Sequence, residues 1–241
     1  MHFTAYAAIA LAWFHQVPTG TELAYLEVPT DYWTSLYAAT LALLIIFRVI
    51  VPVARALAHG LRVTEVVEEA PGVVSLTITG RNLEQLHAQA GQFFLWRFLT
   101  RRHWAEAHPF SLSRAPDGRS LRITVKQLGD FSGRIADDVR PGTRVVAEGP
   151  FGVFTAAMRR RDRVLLIAGG IGITPVRALL EEIGGEVAVV YRALSEDDLV
   201  LRDELEAVAA ARGAAVHYVV GDHAAPGGEL LGQRIGPLGD V

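Results

Sequence analysis

Apolar and polar positions follow three successive patterns along this chain of 241 residues. The first is a pair of apolar runs, one at residues 3–14 and one at residues 32–54, of which residues 32–47 carry no charge. The second run has about the 20 residues that cross a bilayer as a helix, so residues 1–60 are predicted to form a transmembrane helical hairpin. A buried core helix is the alternative for the same run.

The second pattern consists of short alternating strands separated by turn residues. Strands are predicted at residues 73–78, 92–96, 121–125 and 144–147, and a stretch rich in Gly and Pro at 148–152 ends the series. Several short strands at this spacing are typical of a small antiparallel barrel. Residues 61–155 are therefore predicted to form an antiparallel β-barrel domain.

The third pattern alternates strands with helices over residues 156–241. Strands are predicted at 164–167, 187–191 and 216–220, and helices at 175–183 and 196–211. Buried strands that alternate with helices indicate a doubly wound α/β domain with a parallel sheet. The predicted fold class is thus α+β multidomain, with the helical hairpin, the barrel and the α/β domain in that order.

Basic residues are distributed unevenly, because the first 47 positions contain neither Lys nor Arg. Tyr32 and Trp33 lie at the start of the second apolar run, as in an aromatic belt. Arg48, Arg55 and Arg62 lie at its other end, as the positive-inside rule predicts. The pattern favours a multi-pass membrane protein in contact with the lipid bilayer, with the rest of the chain on the cytoplasmic side.

Composition excludes several classes of function. The formal net charge of −3 provides no basic field for a nucleic-acid backbone, so nucleic acid is not an expected partner. The chain has no cysteine, which excludes disulfides, thiolate-ligated iron–sulfur clusters and a cysteine nucleophile within it. Redox chemistry in this chain therefore needs a bound cofactor.

Two histidines, His2 and His15, flank the first apolar run and lie 13 positions apart. A helix separates such positions by about 20 Å, which is much of the hydrocarbon thickness. Imidazole is the usual protein ligand of haem iron, so each histidine could hold one haem near one membrane face. Two histidines at the wet ends of a helix have the same spacing, and the pair alone leaves both interpretations open.

The segment His108-Pro109-Phe110-Ser111 in the predicted barrel offers a surface for a flat ring system. Proline restricts the backbone, and the next two side chains point to opposite faces of a strand. Phe110 is expected to pack along a flavin isoalloxazine, and Ser111, the candidate catalytic residue, to hydrogen-bond near the reactive flavin nitrogen. An edge strand that contains proline explains the same four residues.

A further candidate site lies at residues 125–134, where a strand passes through a glycine turn into a helix start. The N–H groups at such a helix end suit a pyrophosphate. The candidate cofactor-binding residues are Lys126, Phe131, Ser132 and Gly133. An ordinary helix, capped by the side chain of Asp130 or Ser132, is the alternative.

The first strand-to-helix turn of the α/β part reads AGGIGITP at residues 168–175. Its glycines let the backbone approach a dinucleotide, Thr174 is predicted to cap the helix, and Pro175 fits the first helical position. The candidate binding residues are Gly169, Gly170, Gly172, Thr174 and Pro175. The turn is not the GxGxxG of dehydrogenases, and tight strand–helix turns favour glycine even without a ligand.

Arg192 follows the second strand of the α/β part. A basic side chain at this position pairs with the 2′-phosphate of NADPH, so Arg192 favours NADPH over NADH. A surface ion pair between Arg192 and Glu196 or Asp197 is the alternative.

In the order of its motifs, the chain resembles the ferredoxin–NADP reductase superfamily, and within that superfamily it resembles the membrane ferric reductase and NADPH oxidase branch. The motifs are HPFS, VKQLGDFSG, EGPFG, AGGIGITP and YRALSEDDLVLRDEL. Soluble members usually carry Arg-x-Tyr-Ser where this chain has residues 108–111. The resemblance implies that Phe110 and Ser111 contact the isoalloxazine, that residues 126–132 lie near the FAD phosphates, and that residues 169–175 receive the nicotinamide nucleotide.

Haem b is a further implication of this resemblance. The membrane branch carries two haem-ligating histidines at the spacing of His2 and His15, which implies an inner haem at His2 and an outer haem at His15. Each haem would share its iron with a histidine of an earlier helix, and the family ends in a Cys-Gly-Pro-like strand end. Neither segment occurs in this chain, which is therefore expected to be an internal piece, truncated at both ends.

The expected function is membrane-bound electron transfer from NAD(P)H through FAD and two bis-histidine haems to an acceptor such as ferric iron, dioxygen or a redox protein. One alternative is a membrane-anchored flavoprotein reductase without haem that reduces a soluble electron carrier. The other is a non-catalytic nucleotide-binding fragment, because the part that closes the nicotinamide site is not in the chain.

Overall fold

The computed structural model describes residues 4, 8, 9, 11, 12, 15, 27–127, 132–221 and 234–235. The chain divides into two compact units, Met1–Ala54 and Arg55–Val241.

A long helix dominates the described part of the first unit. Helix α1 (Glu27–Ile45) continues through a π-helical turn (Ile46–Ile50) into α2 (Val51–His59). The segment Asp31–His59, 29 residues long, has the length and apolar composition to cross a membrane. The predicted second helix of the hairpin is thus present as a helix, whereas the first apolar run lies mostly outside the described residues. The hairpin and its place in a membrane stay predictions.

Six antiparallel strands follow α2. They are β1 (Arg62–Ala70), β2 (Val73–Thr79), β3 (Phe93–Phe98), β4 (His108–Ser111), β5 (Ser120–Lys126) and β6 (Val145–Phe151). They form two three-stranded sheets, in the orders β1-β2-β5 and β4-β3-β6. Alternate side chains enter a common core, where Phe94, Trp96 and Phe98 of β3 are fully buried. The short helix α3 (Ser132–Asp138) adds Ile135 to this core.

The predicted closed barrel is not what the described strands form. The two sheets meet only at two isolated bridges, Arg62 with Arg144 and Leu112 with Ile123, instead of along continuous ladders. Strand β4 has only four residues and includes Pro109, which has no N–H to donate toward β5. The antiparallel sheets are confirmed, and the barrel is corrected to two sheets over one core.

The last part of the chain alternates strands and helices as predicted. Its elements are β7 (Arg163–Gly169), α4 (Ile173–Glu182), β8 (Glu186–Ala193), α5 (Arg202–Arg212), β9 (Ala215–Val220) and β10 (Arg234–Ile235). Strands β7, β8 and β9 pair in parallel, and β10 pairs antiparallel with β9. A second core, which includes Val189 and Tyr191, lies between one face of this sheet and the two helices.

The described residues do not contain the strand reversal that defines a doubly wound sheet. Strands β7, β8 and β9 lie side by side in sequence order, and successive right-handed crossovers in one direction place both helices on one face. The opposite face carries Leu165 and Ile167, which are 60% and 69% exposed. A doubly wound sheet has helices on both faces, so the described region corresponds to one half of that arrangement.

Helix α5 begins six residues later than the predicted start at residue 196. Glu196–Asp198 form a 3-10 turn, and Leu201 has a left-handed φ of 58°. This irregular stretch buries Val200 and Leu201 against Val73 of β2. Packing between the FAD-side sheets and the α/β part therefore overrides the helical periodicity at this point.

Candidate active site

Strand β4 places Ser111 at an open sheet edge. Phe110 packs against the core, whereas Ser111 lies on the opposite face, as the pleat predicts. Ser113 N–H donates to Arg122 O at 2.8 Å on the β5 side. Ser111, two residues earlier, directs its N–H to the same side, where the described strands form no ladder. Its hydroxyl and its N–H are both available to a ligand at this edge.

An aromatic pair that the sequence analysis does not single out lies beside Ser111. Phe93 is the register partner of Ser111, and its ring centroid lies 5.7 Å from that of Phe151, which is 41% exposed. Two partly exposed rings next to a hydroxyl form a surface that suits a flat, largely apolar ring system. Phe151 belongs to the EGPFG stretch, where an aromatic residue between proline and glycine was the only available signal.

The buried indole of Trp96 holds β4 in place. Its Nε1–H donates to Phe110 O at 3.0 Å. His108 Nε2 lies 3.4 Å from Glu106 Oε2, in the loop before the strand, and Pro109 is exposed. The strand that carries Ser111 is thus attached to β3 by a side chain as well as by its backbone ladder.

Replacing Trp96 by phenylalanine is expected to weaken FAD binding about tenfold, because Phe110 O then lacks its buried donor and the edge strand loosens. Titration of the apoprotein with FAD measures this change. Phe98→Leu, at the last residue of β3, is the control for a general loosening of the core. An equal loss of affinity in both variants would contradict the role given to the indole.

The segment around residues 126–133 is described only in part. Residues 128–131, including Phe131, lie outside the described residues, and Ser132 begins α3. Lys126 Nζ lies 2.9 Å from Asp198 Oδ1. A Cβ at Gly133 would meet no heavy atom within 4 Å among the residues that the structure describes. The pyrophosphate role of this segment stays a prediction.

The turn after β7 forms an open cradle of backbone. A Cβ at Gly169, Gly170 or Gly172 would meet no heavy atom of the described residues within 4 Å. The φ of +50° explains glycine at position 170, but the φ values of −127° at Gly169 and −62° at Gly172 suit any residue. Neither packing nor backbone conformation requires glycine at these two positions, where it costs conformational entropy. The turn therefore suits the close approach of a ligand.

The predicted capping role of Thr174 is wrong. Helix α4 begins at Ile173, directly after the 3-10 turn Gly170–Gly172, so Gly172 is the N-cap residue. Thr174 lies inside the first turn, 5% exposed, and its Oγ1 donates to Ile171 O at 3.1 Å. Pro175 occupies the third helical position instead of the first, where its missing N–H is also tolerated.

Arg192 lies beside the glycine turn, as the register partner of Gly169. Its Nε is buried and has no hydrogen-bond partner among the described residues. The alternative ion pair with Glu196 is not formed, because Glu196 Oε2 accepts from Arg202 Nη1 at 2.7 Å. An orphaned guanidinium donor next to the turn suits an anionic group of a bound nucleotide.

Four charged residues form an interdomain charge cluster between the two candidate sites. They are Arg122 of β5, Arg177 and Glu181 of α4, and Glu204 of α5. Arg122 donates to both carboxylate oxygens of Glu204, from Nη1 at 2.7 Å and from Nη2 at 2.6 Å. Arg177 Nη1 lies 2.6 Å from Glu181 Oε1. Both arginines, 8% and 6% exposed, donate to the carbonyl of Ser113. The cluster connects α4, which follows the glycine turn, with the strand end that carries Ser111.

Two protein-family models match the chain in the halves that hold these sites. One is an FAD-binding domain over residues 61–155, and the other is an oxidoreductase NAD-binding domain over residues 166–230. Together they cover about two thirds of the chain. The chain belongs to the ferredoxin–NADP reductase superfamily.

The reductase resembles curated proteins of several kinds. It is 30% identical over 158 residues to the ferredoxin reductase component of 3-ketosteroid-9-alpha-monooxygenase from Rhodococcus rhodochrous, covering 62% of this chain and 45% of that one. It is 28% identical over 133 residues to the chloroplastic ferric reduction oxidase 7 of Arabidopsis thaliana, covering 43% of this chain and 18% of that one. The chain thus spans less than half the length of these relatives.

A solved structure shares the fold of the reductase. The FAD/NAD-binding domain of nitric oxide dioxygenase from Vibrio cholerae matches with a TM-score of 0.54 and 24% identity, over 68% of this chain and 75% of that one. The two family models confirm the expected FAD and NAD(P) binding. The chain therefore contains the FAD-binding and NAD-binding halves found in this superfamily.

The expected haem ligands of the reductase are not tested by the described residues. His2 lies outside them, and His15 is helical and exposed. Within the described ranges, no group of three or more His, Asp or Glu side chains could hold a metal ion. Haem b therefore stays a prediction.

The interdomain charge cluster makes the stability of the reductase depend on pH. Hydrogen bonds from Arg122 hold the pKa of Glu204 below its ordinary value of 4.5. A carboxyl whose pKa is lower in the folded state stabilises that state above its unfolded pKa, and this stabilisation is lost as pH falls through the folded pKa.

We expect the free energy of unfolding of the wild type to fall more steeply below about pH 4.5 than that of Glu204→Gln, which has no carboxyl to protonate there. Urea unfolding at a series of pH values measures both slopes. Glu186→Gln, which removes an exposed carboxylate, is the control. Parallel curves for the wild type and Glu204→Gln would contradict this expectation.

Proposed function

We propose that this reductase is the electron-input part of a membrane-bound oxidoreductase, which takes a hydride from NADPH through FAD and delivers electrons toward the membrane. The observation that carries the proposal is the helix Asp31–His59, which is followed after only Gly60 and Leu61 by β1. Apolar side chains between Leu41 and Ile50 are exposed on every side of this helix. A helix that is apolar all round is stable in a protein core or in a bilayer, and the described residues do not bury this one.

The charges around the helix support a cytoplasmic location for the two nucleotide-binding halves. Arg48 and Arg55 lie in the second half of this helix, and Arg62 follows it in β1. The residues before it carry only acidic charges, Glu22, Glu27 and Asp31. By the positive-inside rule, the chain after the helix stays in the cytoplasm, where NADPH is available.

The two candidate sites divide the proposed chemistry between them. Bound FAD accepts a hydride and passes electrons on one at a time. Phe93 and Phe151 would pack along its ring system, and the hydroxyl and N–H of Ser111 would hydrogen-bond near the reactive nitrogen. Residues 169–172 would receive the dinucleotide. The interdomain charge cluster would hold this turn and the Ser111 edge at a constant separation.

The preference for NADPH rests on Arg192. We expect Arg192→Gln to raise the KM for NADPH about tenfold and to leave the KM for NADH nearly unchanged, because only NADPH carries the 2′-phosphate. Steady-state kinetics with both nucleotides measures the ratio. Arg163→Gln, on the exposed start of β7, is the control. An equal rise for both nucleotides would contradict the assignment.

The acceptor side of the proposal follows the branch that the motifs resemble. His2 and His15 would each hold one haem b, together with a histidine of another helix, and ferric iron or dioxygen would be the final acceptor. The similarity to the Arabidopsis ferric reduction oxidases supports this proposal. A haem-free membrane-anchored reductase for a soluble carrier is the second candidate, favoured by relatives named as ferredoxin reductase components of monooxygenase systems.

Anaerobic addition of NADPH to the full-length protein in nanodiscs separates these functions. Bleaching of the flavin absorbance, followed by reduction of a bis-histidine haem spectrum, is the expected result. Flavin reduction in a protein without haem would favour the reductase of a soluble carrier. Binding of FAD and NADPH without any flavin reduction would indicate a non-catalytic nucleotide-binding protein and would overturn both.

A further inference from the structure

The loop between β3 and β4, residues 99–107 (the β3–β4 loop), exposes apolar and basic side chains together. Trp104 is 63% exposed and Leu99 is 45% exposed. Arg101 and Arg102, between them in the sequence, are also exposed. None of these four side chains belongs to the Ser111 edge, the glycine turn or the interdomain charge cluster.

The β3–β4 loop is held in one conformation by a buried histidine. His103 is 4% exposed, and its ring Nε2 lies 3.1 Å from Asp138 Oδ2. Its backbone N–H donates to Thr100 Oγ1 at 3.2 Å. Arg97 Nη1 donates to the carbonyl of Trp104 at 3.5 Å. The tryptophan therefore projects from an anchored turn. Its large apolar ring is unfavourable in water and favourable in a less polar medium.

The β3–β4 loop lies at the end of the sheets where the chain arrives from α2. Leu99 N–H donates to Arg144 O at 2.9 Å, and Arg144 forms a bridge with Arg62 of β1. Val145 N–H donates to Leu61 O at 3.0 Å. Neighbouring strands lie about 4.8 Å apart, so Leu99 is roughly 10 Å from the start of β1.

The end of α2 is fixed to the same part of the protein. Arg81 N–H donates to His59 O at 2.7 Å, and Arg81 Nη2 donates to Leu57 O at 2.6 Å. Gly60 ends the helix with a left-handed φ of 54°, and its N–H donates to Ala56 O at 2.9 Å. The helix end and the β3–β4 loop therefore share one end of the FAD-binding half.

We propose that the β3–β4 loop is a membrane-contact loop, which places Trp104 and Leu99 in the headgroup layer of an anionic bilayer and Arg101 and Arg102 against lipid phosphates. Tryptophan combines an apolar ring with an N–H donor and favours the membrane–water interface. Anionic lipids attract arginines that lie near the surface. This inference rests on the proposed membrane location of the chain.

The contact has a consequence for electron transfer. Strand β4 follows the loop directly and carries Ser111 at its end. A loop attached to the headgroup layer would therefore limit the distance and orientation of the Ser111 edge relative to the bilayer. Electron transfer toward the membrane depends on that distance, whereas hydride transfer from NADPH does not.

Single labels test the contact directly, because the chain has no cysteine of its own. Leu43→Cys in α1, Leu99→Cys and Leu194→Cys would each carry a bimane fluorophore, in the whole chain reconstituted into nanodiscs with nitroxide-labelled lipid. Leu194, 64% exposed after β8, is the matched control. Quenching is expected to be strong at residues 43 and 99 and weak at residue 194.

Lipid charge and Trp104 are the two variables that the contact depends on. Quenching at residue 99 is expected to fall at least about twofold when phosphatidylserine is replaced by phosphatidylcholine, and again when Trp104→Ser is added. Strong quenching at residue 43, together with quenching at residue 99 that is no greater than at the control residue 194, would overturn the membrane-contact loop alone. No quenching at residue 43 would contradict the membrane location itself. The label at residue 99 could also be shielded from solvent to the same extent in nanodiscs and in detergent without lipid. That result would indicate that a protein, such as a second copy, covers the loop, and it would also overturn the proposal.

Discussion

A reductase in which Gly169 is replaced by valine is expected to fold and bind FAD as the wild type does, yet to reduce its flavin with NADPH about a hundredfold more slowly. The backbone angles at Gly169, φ −127° and ψ 128°, are strand values that valine favours. Within the part of the chain that the structure describes, no heavy atom lies within 4 Å of the position of its Cβ. The new side chain would therefore fill only the space above the turn, where we propose that the nucleotide lies. Stopped-flow absorbance of the flavin measures the rate.

Gly184→Val is the matched control for this prediction. Gly184 lies in the same half of the protein, and the nearest atom to its Cβ position is 3.9 Å away. The control variant should reduce flavin at the rate of the wild type. A Gly169→Val protein that retains full activity would show that the open cradle does not receive the nucleotide.

The largest effect on stability is expected at the interdomain charge cluster. Arg122→Ala should lower the free energy of unfolding by about 2–3 kcal/mol, because the Glu204 carboxylate then loses its bidentate partner and keeps the ion pair with Arg177 Nε at 3.0 Å. In a double-mutant cycle with Glu204→Ala, the coupling free energy should be about 2–3 kcal/mol. The side chain of Arg122 is 9% exposed and that of Glu204 is 34% exposed, so solvent screens this pair less than it screens a fully exposed pair. Urea unfolding of the four proteins measures the cycle.

The pair Arg163–Glu186 is the control cycle in the same molecule. It joins β7 to β8 at 3.1 Å, but its side chains are 85% and 74% exposed. Exposed pairs of this kind couple by less than about 1 kcal/mol. Equal coupling in the two cycles would contradict the claim that burial, and not the mere presence of an ion pair, makes the interdomain charge cluster strong.

Some errors of the sequence analysis have specific physical causes. The helix expected from residue 196 starts at Arg202, because Val200 and Leu201 pack against Val73 of β2. Thr174 does not cap α4, because a 3-10 turn runs directly into the helix and moves its start to Ile173. In both places the sequence pattern correctly predicted a helix. A contact or a turn that the pattern does not encode then moved the first residue of that helix.

Other features were not accessible from the sequence at all. Arg122 and Glu204 are 82 positions apart, and nothing in either neighbourhood indicates the other. Phe93 and Phe151 become neighbours only because β3 pairs with β6, and Ser111 joins them because β3 also pairs with β4. Partners that meet through sheet pairing or domain packing leave no spacing signal along the chain.

Although it did not predict β1 or β10, the amino-acid sequence by itself determined most of the strands and helices, their order, and the two motifs that carry the candidate sites. It did so because periods of two and of about 3.6 residues report which side of a strand or helix is buried. Glycine and proline likewise mark the turns through their backbone preferences. Only the tertiary structure decided that the predicted barrel is two sheets, which rings lie beside Ser111, and how charged residues join the two halves. Those features depend on contacts between residues far apart in the chain, and their energies arise only when the sheets and helices are packed together.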